Sequence, residues 1–307
     1  MREQGAEAPT PPWTAAAATV EYAQGHDLPL DSHLHTNLSP DSDVEIDVYA
    51  AQAVALGIAE IAITDHVDFD PRSPAYNYAD VATRERTARE AAERWAPHGV
   101  TIRFGCELTY ERRYEDDVRE HLRRHRYDFT IGSVHIGPDS PYRAERIESF
   151  LVGRGLAQIV APYFDEVAGA ARSGLFDTIG HIDFVKRYLM PHVPTAALAA
   201  APELYEPILA ALIETGTGLE VNVSGLRQSP AETYPAEAVV ARFRALGGVR
   251  VTTGSDAHRA ESFAFALGEG YRIAAAAGFR TLAFRRGGAL VEVPIPDAIR
   301  NATPAWT

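Results

Sequence analysis

The residue types that could do metal chemistry recur along the chain. The segment "DSHLHTNLSPDS" (31–42) holds His33 and His35 two apart, with Asp31 before them and Asp41 and Asp43 after. Asp65 and His66 follow in "TDH", Glu107 in "CEL" and His135 in "GSVH". "GHID" then carries His181 and Asp183, and "SDAH" carries Asp256 and His258. Imidazole and carboxylate are the donors that hold zinc, manganese and iron. Residues i and i+2 of a strand share a face. His33 with His35, and Asp256 with His258, can therefore each aim two ligands at one centre. A lone H-x-H is a weak signal; six of the eleven histidines placed in such motifs is a stronger one.

These motifs sit at the ends of stretches that read as strands. Seven runs rich in Val, Ile, Thr or Phe cover 28–35, 58–66, 101–110, 128–135, 176–183, 218–225 and 249–258. The sixth lacks a histidine but carries Glu220, Asn222 and Ser224. Helical patterns alternate with the strands. "VEIDVYAAQAVALG" spaces Val44, Val48, Ala51 and Ala55 on one face, with Asp41, Ser42 and Asp43 as N-terminal caps and Gly57 as its stop. "ADVATRERTAREAAERW" favours helix by propensity, and further helices are expected at about 158–173, 197–215, 235–246 and 260–277. Strand–helix alternation predicts an α/β fold, a parallel sheet with crossover helices closed as a barrel. Active sites of such barrels form at the C-terminal ends of the strands, where the motifs fall. Residues 1–26 read as an N-terminal extension and 27–280 as the barrel. Residues 281–307 read as a hairpin and tail packed on it, with Arg285 and Arg286 as turn charges.

Composition narrows the function. A formal charge of −13 over 307 residues argues against long nucleic acid, which needs a basic surface. It leaves room for a small anionic substrate, because bound cations dominate a site locally. No run of about 18 apolar residues predicts a membrane span. The first twenty residues make a poor secretory signal. The single cysteine, Cys106, fits a reducing, cytoplasmic setting and faces away from Glu107 into the core. His121 and His125, at i and i+4, form a possible metal pair but belong to the outer layer. No GxGxxG, Walker or G-x-S-x-G motif occurs, so Ser133, Ser224 and Ser255 are expected to be turn or supporting residues. Oligomeric state is not legible.

The motifs "HLHT", "TDH", "CEL", "GSVH", "GHID" and "SDAH", in this order over residues 33–258, resemble the polymerase and histidinol phosphatase (PHP) superfamily. "GSVH", "GHIDFVKR" and "EVNVSGLR" are most similar to its histidinol-phosphate phosphatase branch. The resemblance implies a distorted (β/α)7 TIM-like barrel of amidohydrolase type with three divalent metal ions (zinc, manganese or iron). It implies one ion on His33, His35, Glu107 and Asp256, and a second on Glu107, His135 and His181, with Glu107 bridging. The third would rest on Asp41, His66 and His258; some family members have histidine in place of Asp41, and a carboxylate there is a harder ligand. Asp31 and Asp43 are left as structural neighbours.

Such a centre suits hydrolysis of a phosphate monoester by a metal-bridging hydroxide. Asp65 or a metal-bound water would protonate the leaving oxygen. Arg187 and Arg227, which follow strands, would grip the phosphate, with Lys186 a weaker candidate. The expected reaction is cleavage of L-histidinol phosphate to L-histidinol and phosphate, with Glu220, Asp139 or Glu111 available for the amine. One alternative is another small ester, such as a nucleotide, on the same centre. The other is a non-catalytic metal-binding or polymerase-associated module, which the absence of a cysteine-rich ligand set disfavours.

Overall fold

The computed structural model describes residues 27–190, 192–286 and 288–301. The expected extension, residues 1–26, lies outside the described residues, as do 302–307 of the expected tail. Among the described residues ten strands form: β1 Leu30–Leu34, β2 Glu60–Ile63, β3 His66–Val67, β4 Thr101–Thr109 and β5 Phe129–Ser133. The rest are β6 Thr178–Ile179, β7 Gly218–Asn222, β8 Val251–Gly254, β9 Thr281–Arg286 and β10 Ala289–Pro294. β1 to β8 are parallel neighbours in chain order, with β2 and β3 the two halves of one interrupted strand against β4. Closure runs from the end of β8 back to β1. His35 N–H donates to Ala257 O at 2.9 Å and Asp256 N–H to His33 O at 2.8 Å. The sheet is thus a nearly closed seven-position parallel barrel, as the strand–helix alternation predicts.

The helices are α1 Ile46–Leu56, α2 Val81–Trp95, α3 Glu115–Arg124, α4 Ile147–Leu151, α5 Leu156–Ser173 and α6 Lys186–Leu189. They continue with α7 Thr195–Ala199, α8 Glu206–Thr215, α9 Glu237–Ala245, α10 Leu267–Ala276 and α11 Asp297–Arg300. Strand residues alternate between two buried environments. In β1, Leu30 and Leu34 join the apolar core, while Asp31 and His33 are fully buried among polar groups.

Two local expectations are corrected. The buried face of α1 is Ile46, Tyr49, Ala50 and Ala53, while Val48, Ala51 and Ala55 are exposed. Both sets have three-and-four spacing, and the helix is apolar enough all round that spacing alone does not choose. Asp41, Ser42 and Asp43 do not cap it either. The N-cap is Glu45, and Ser42 Oγ instead donates to His35 O at 3.0 Å. Gly57 does end the helix, at φ 71°.

β9 and β10 pair antiparallel, and Phe284 packs on Phe129 with ring centroids 4.5 Å apart. Arg285 Nε donates to Asp177 at 2.8 Å. Phe129 begins β5 and Asp177 precedes β6, so the hairpin lies at the end of the barrel opposite the motif residues. No helix among the described residues is long and apolar enough to cross a membrane.

On the outer layer, His121 Nε2 is taken up by Tyr127 Oη at 2.7 Å, which leaves the His121–His125 pair committed to packing. Burial, then the nearby His125 and Arg84 charges, lower the His121 pKa to about 4. Between about 4 and the unfolded value of 6.5 the unfolded chain binds the extra proton, so stability falls as pH drops through that window. His121→Gln is expected to flatten this slope. Melting curves of both proteins from pH 7 to 4 check it, and parallel slopes would assign the acid sensitivity elsewhere.

Candidate metal centre

Glu107, 1% exposed near the end of β4, is the hub. Its carboxylate lies 2.9 Å from His66 Nδ1, 2.9 Å from His181 Nε2 and 3.4 Å from His135 Nε2. It lies 3.5 Å from Nε2 of both His33 and His35. Five imidazoles from four strand ends therefore converge on one buried acid. Parallel register supplies part of this, because His66 of β3 stands opposite Glu107 of β4. Asp256 Oδ1 completes the first group at 3.7 Å from His33 and 3.4 Å from His35. Asp41 Oδ2 spans His66 at 3.3 Å and His258 at 3.2 Å. The donor atoms of His33, His35 and Asp256, of Glu107, His135 and His181, and of His35, His66 and His258 each lie within 4.8 Å of one another. All nine expected ligands are thus brought together.

The donor set fits divalent cations. Glu107 Oε2 is buried among these nitrogens yet hydrogen-bonded to none of them, and His181 Nδ1 is likewise buried without a hydrogen bond. Electrostatics agree. Burial alone would raise the Glu107 pKa, but the His66, His135 and His33 charges hold it well below the carboxylate range. Burial, then His258 and His66, press His35 well below the usual imidazole value. Against burial, the Glu220 and Glu107 charges hold His33 and His66 well above it, so a cation binding there would displace protons from these rings.

A supporting layer fixes the rings. Glu220 accepts from His33 Nδ1 at 2.6 Å and from the His181 N–H at 2.9 Å. It is fully buried, which removes it from the acids expected to bind an amine. Thr109 Oγ1 meets His135 Nδ1 at 2.9 Å, and His258 Nδ1 meets Asp256 O at 3.0 Å. Asp256 at φ 52° and His181 at φ 23° occupy conformations uncommon for such residues, strain that recurs at functional sites.

A cavity of about 1070 Å³ opens above the cluster. Asp65, the expected proton donor, is not part of its lining. It is 3% exposed, and its two oxygens accept from the Thr36 N–H at 2.6 Å and Thr36 Oγ1 at 2.8 Å. It ties the end of β2 to the end of β1, which corrects the expected role. Asp68 lines the cavity instead, beside His66 and His135, and sequence reading missed it. The signal was present: Asp68 stands two residues after His66 in "TDHVD". Lys186 is 1% exposed and turned to Asp183 at 2.9 Å and Glu232 at 2.6 Å, so it is no phosphate contact. Arg227 borders the cavity but donates to Ser255 O and Asp256 O, both at 2.7 Å, bracing the chain under Asp256. Arg187 also borders it, over the Phe184 ring at 5.8 Å, with no carboxylate in ion-pair reach among the described residues. Arg72 and Arg113, by contrast, are paired with Asp70 at 2.7 and 2.9 Å.

Comparison with known proteins is consistent with this arrangement. The family model described as PHP domain matches residues 31–224. A probable histidinol-phosphatase of Deinococcus radiodurans is 31% identical over 269 residues, covering 83% of this chain and 96% of that protein. A histidinol-phosphatase of Lactococcus lactis is 25% identical over 263 residues, covering 83% and 93%. A crystal structure of histidinol phosphate phosphatase from Lactococcus lactis, complexed with zinc, L-histidinol and phosphate, superposes with a TM-score of 0.73 at 23% identity. It covers 86% of this chain and 98% of that one, a likeness of fold.

Proposed function

We propose, from the premise that this chain belongs to the PHP domain family, that it is a metal-dependent phosphatase cleaving L-histidinol phosphate to L-histidinol and phosphate. The observation that carries this is the convergence of five imidazoles on the buried Glu107 carboxylate beneath an open cavity. The relatives named histidinol-phosphatase support the choice of ester.

Three divalent ions, of zinc, manganese or iron, would be held by His33, His35, Glu107 and Asp256; by Glu107, His135 and His181; and by Asp41, His66 and His258. Bound there, such ions supply Lewis acidity toward phosphoryl oxygens and lower the pKa of water. The protein supplies the rest. Glu220, Thr109 and the Asp256 carbonyl hold His33, His135 and His258 by their second nitrogens, so the facing nitrogens stay aimed at the cluster. Arg187, without an acidic partner among the described residues, offers its guanidinium fork to the non-bridging phosphate oxygens. Arg227 keeps Asp256 in place. Asp68 faces the substrate space from beside His66 and His135, and it is the group assigned to hand a proton to the leaving oxygen. Among the described residues its carboxylate accepts only from the hydroxyls of Ser73 and Thr109, whereas Asp70, Glu111 and Glu145 in the same cavity are paired with arginines.

The test is phosphate release from L-histidinol phosphate by the metal-loaded chain, lost on chelation and restored by divalent ion. Arg187→Met is expected to raise KM about 10–100-fold, the worth of a charge-assisted hydrogen bond, with kcat changed far less. Steady-state kinetics check this; an unchanged KM would place Arg187 outside the substrate contact.

A further inference from the structure

The core-facing positions of α2 are Arg84, Ala88 and Ala91. An arginine in that row is unexpected. Its guanidinium stays charged at any working pH, and burying it without a counter-charge costs several kcal/mol. Yet Arg84 is 4% exposed, and no carboxylate lies within ion-pair distance of it among the described residues. Its Nη1 instead donates to the His66 carbonyl at 2.6 Å, with the Asp65 carbonyl at 3.4 Å. Its Nε makes no hydrogen bond.

These two carbonyls belong to the place where the barrel strand is interrupted. β2 ends at Ile63 and β3 starts at His66. In between, the Glu107 N–H is shared by the Thr64 carbonyl at 3.1 Å and the Asp65 carbonyl at 3.3 Å. Ladder bonding alone therefore fixes this turn weakly. Three side chains make up the difference: Thr36 holds the Asp65 carboxylate and Ser39 Oγ takes the His66 N–H at 2.9 Å from the β1 side, and Arg84 holds the His66 carbonyl from the α2 side. The neighbouring alanines Ala88 and Ala91 leave room on the helix face for a side chain of this length.

We infer that Arg84 is a positioning residue for the cation held by Asp41, His66 and His258. It sets the main chain at His66, so that the ring meets Asp41 through Nε2 and Glu107 through Nδ1. The inference rests on the reading that these residues hold metal. It differs from a general packing role in being local: the donors of the other two groups are braced by Glu220 and Thr109, which Arg84 does not touch.

The experiment is zinc titration of the metal-free full-length chain, with binding followed by competition against a chromogenic chelator and no substrate present. Arg84→Met should weaken one of the bound ions about 10–100-fold, as loss of a supporting hydrogen bond does in metal sites, and leave the others at wild-type affinity. Arg84→Lys, which keeps the charge and one donor, should recover part of the loss. Equal affinities in wild type and a folded Arg84→Met would overturn the inference, as would uniform weakening of every ion. If Arg84→Met does not fold, Arg84→Lys carries the same comparison, and wild-type affinity for every ion in it would count against the role. A wild-type chain that binds no zinc would remove the metal reading itself, and this inference with it.

Discussion

Glu107→Gln is expected to reduce phosphate release at least about 10³-fold and to strip ions from the centre. The side chain keeps its size but loses its charge and one acceptor. Removing one member of a buried charged set costs about 3–5 kcal/mol, because the partners are left uncompensated. Here the partners are five imidazoles within 3.5 Å, and an amide N–H would point at nitrogens that need an acceptor or a cation. The loss should be cooperative, since Glu107 is shared by two of the proposed ion sites. Metal analysis of the purified variant beside circular dichroism separates this from unfolding. A folded variant with wild-type metal content and rate would remove Glu107 from the hub.

Asp68→Asn is expected to lower kcat for L-histidinol phosphate about 10²–10⁴-fold, the usual worth of a positioned general acid, with metal content and KM nearly unchanged. An alkoxide leaving group needs a proton, whereas a nitrophenolate does not. The same variant should therefore hydrolyse p-nitrophenyl phosphate at close to the wild-type rate. Equal losses on both esters, together with lost metal, would make Asp68 a ligand, consistent with its closeness to His66 and His135. No loss on either would place the proton donor elsewhere.

These two residues mark how far the sequence can be read. Glu107 was legible because ligand-type residues ended one β-rich run after another, and strand ends of a parallel barrel share one rim. Spacing two apart gave the pairs His33–His35 and Asp256–His258, both of which the fold aims inward. Asp41 was reachable only through family resemblance, since it stands six positions beyond His35 in a loop and no periodicity fixes a loop. Asp65 and Asp68 show the limit on catalytic roles. Sequence reading chose the acid adjoining His66, but the strand breaks at Thr64 and Asp65, so Asp65 turns to Thr36 and Asp68 faces the cavity. Lys186 and Arg187 show it again. Neighbours on one short helix, they point to the acids Asp183 and Glu232 and to the cavity respectively. Arg84 carried no visible signal, because an arginine in an Ala/Arg/Glu-rich helix reads as solvated surface until the helix is docked.

The central claim, that this centre acts on L-histidinol phosphate, is tested most directly by kcat/KM for phosphate release. The metal-analysed chain would be assayed on L-histidinol phosphate beside a panel of nucleotide and sugar monoesters, each with and without chelator. The account predicts a clear preference for L-histidinol phosphate and loss of all turnover with chelator. Release from another ester in its place, or turnover that survives complete removal of divalent metal, would contradict it.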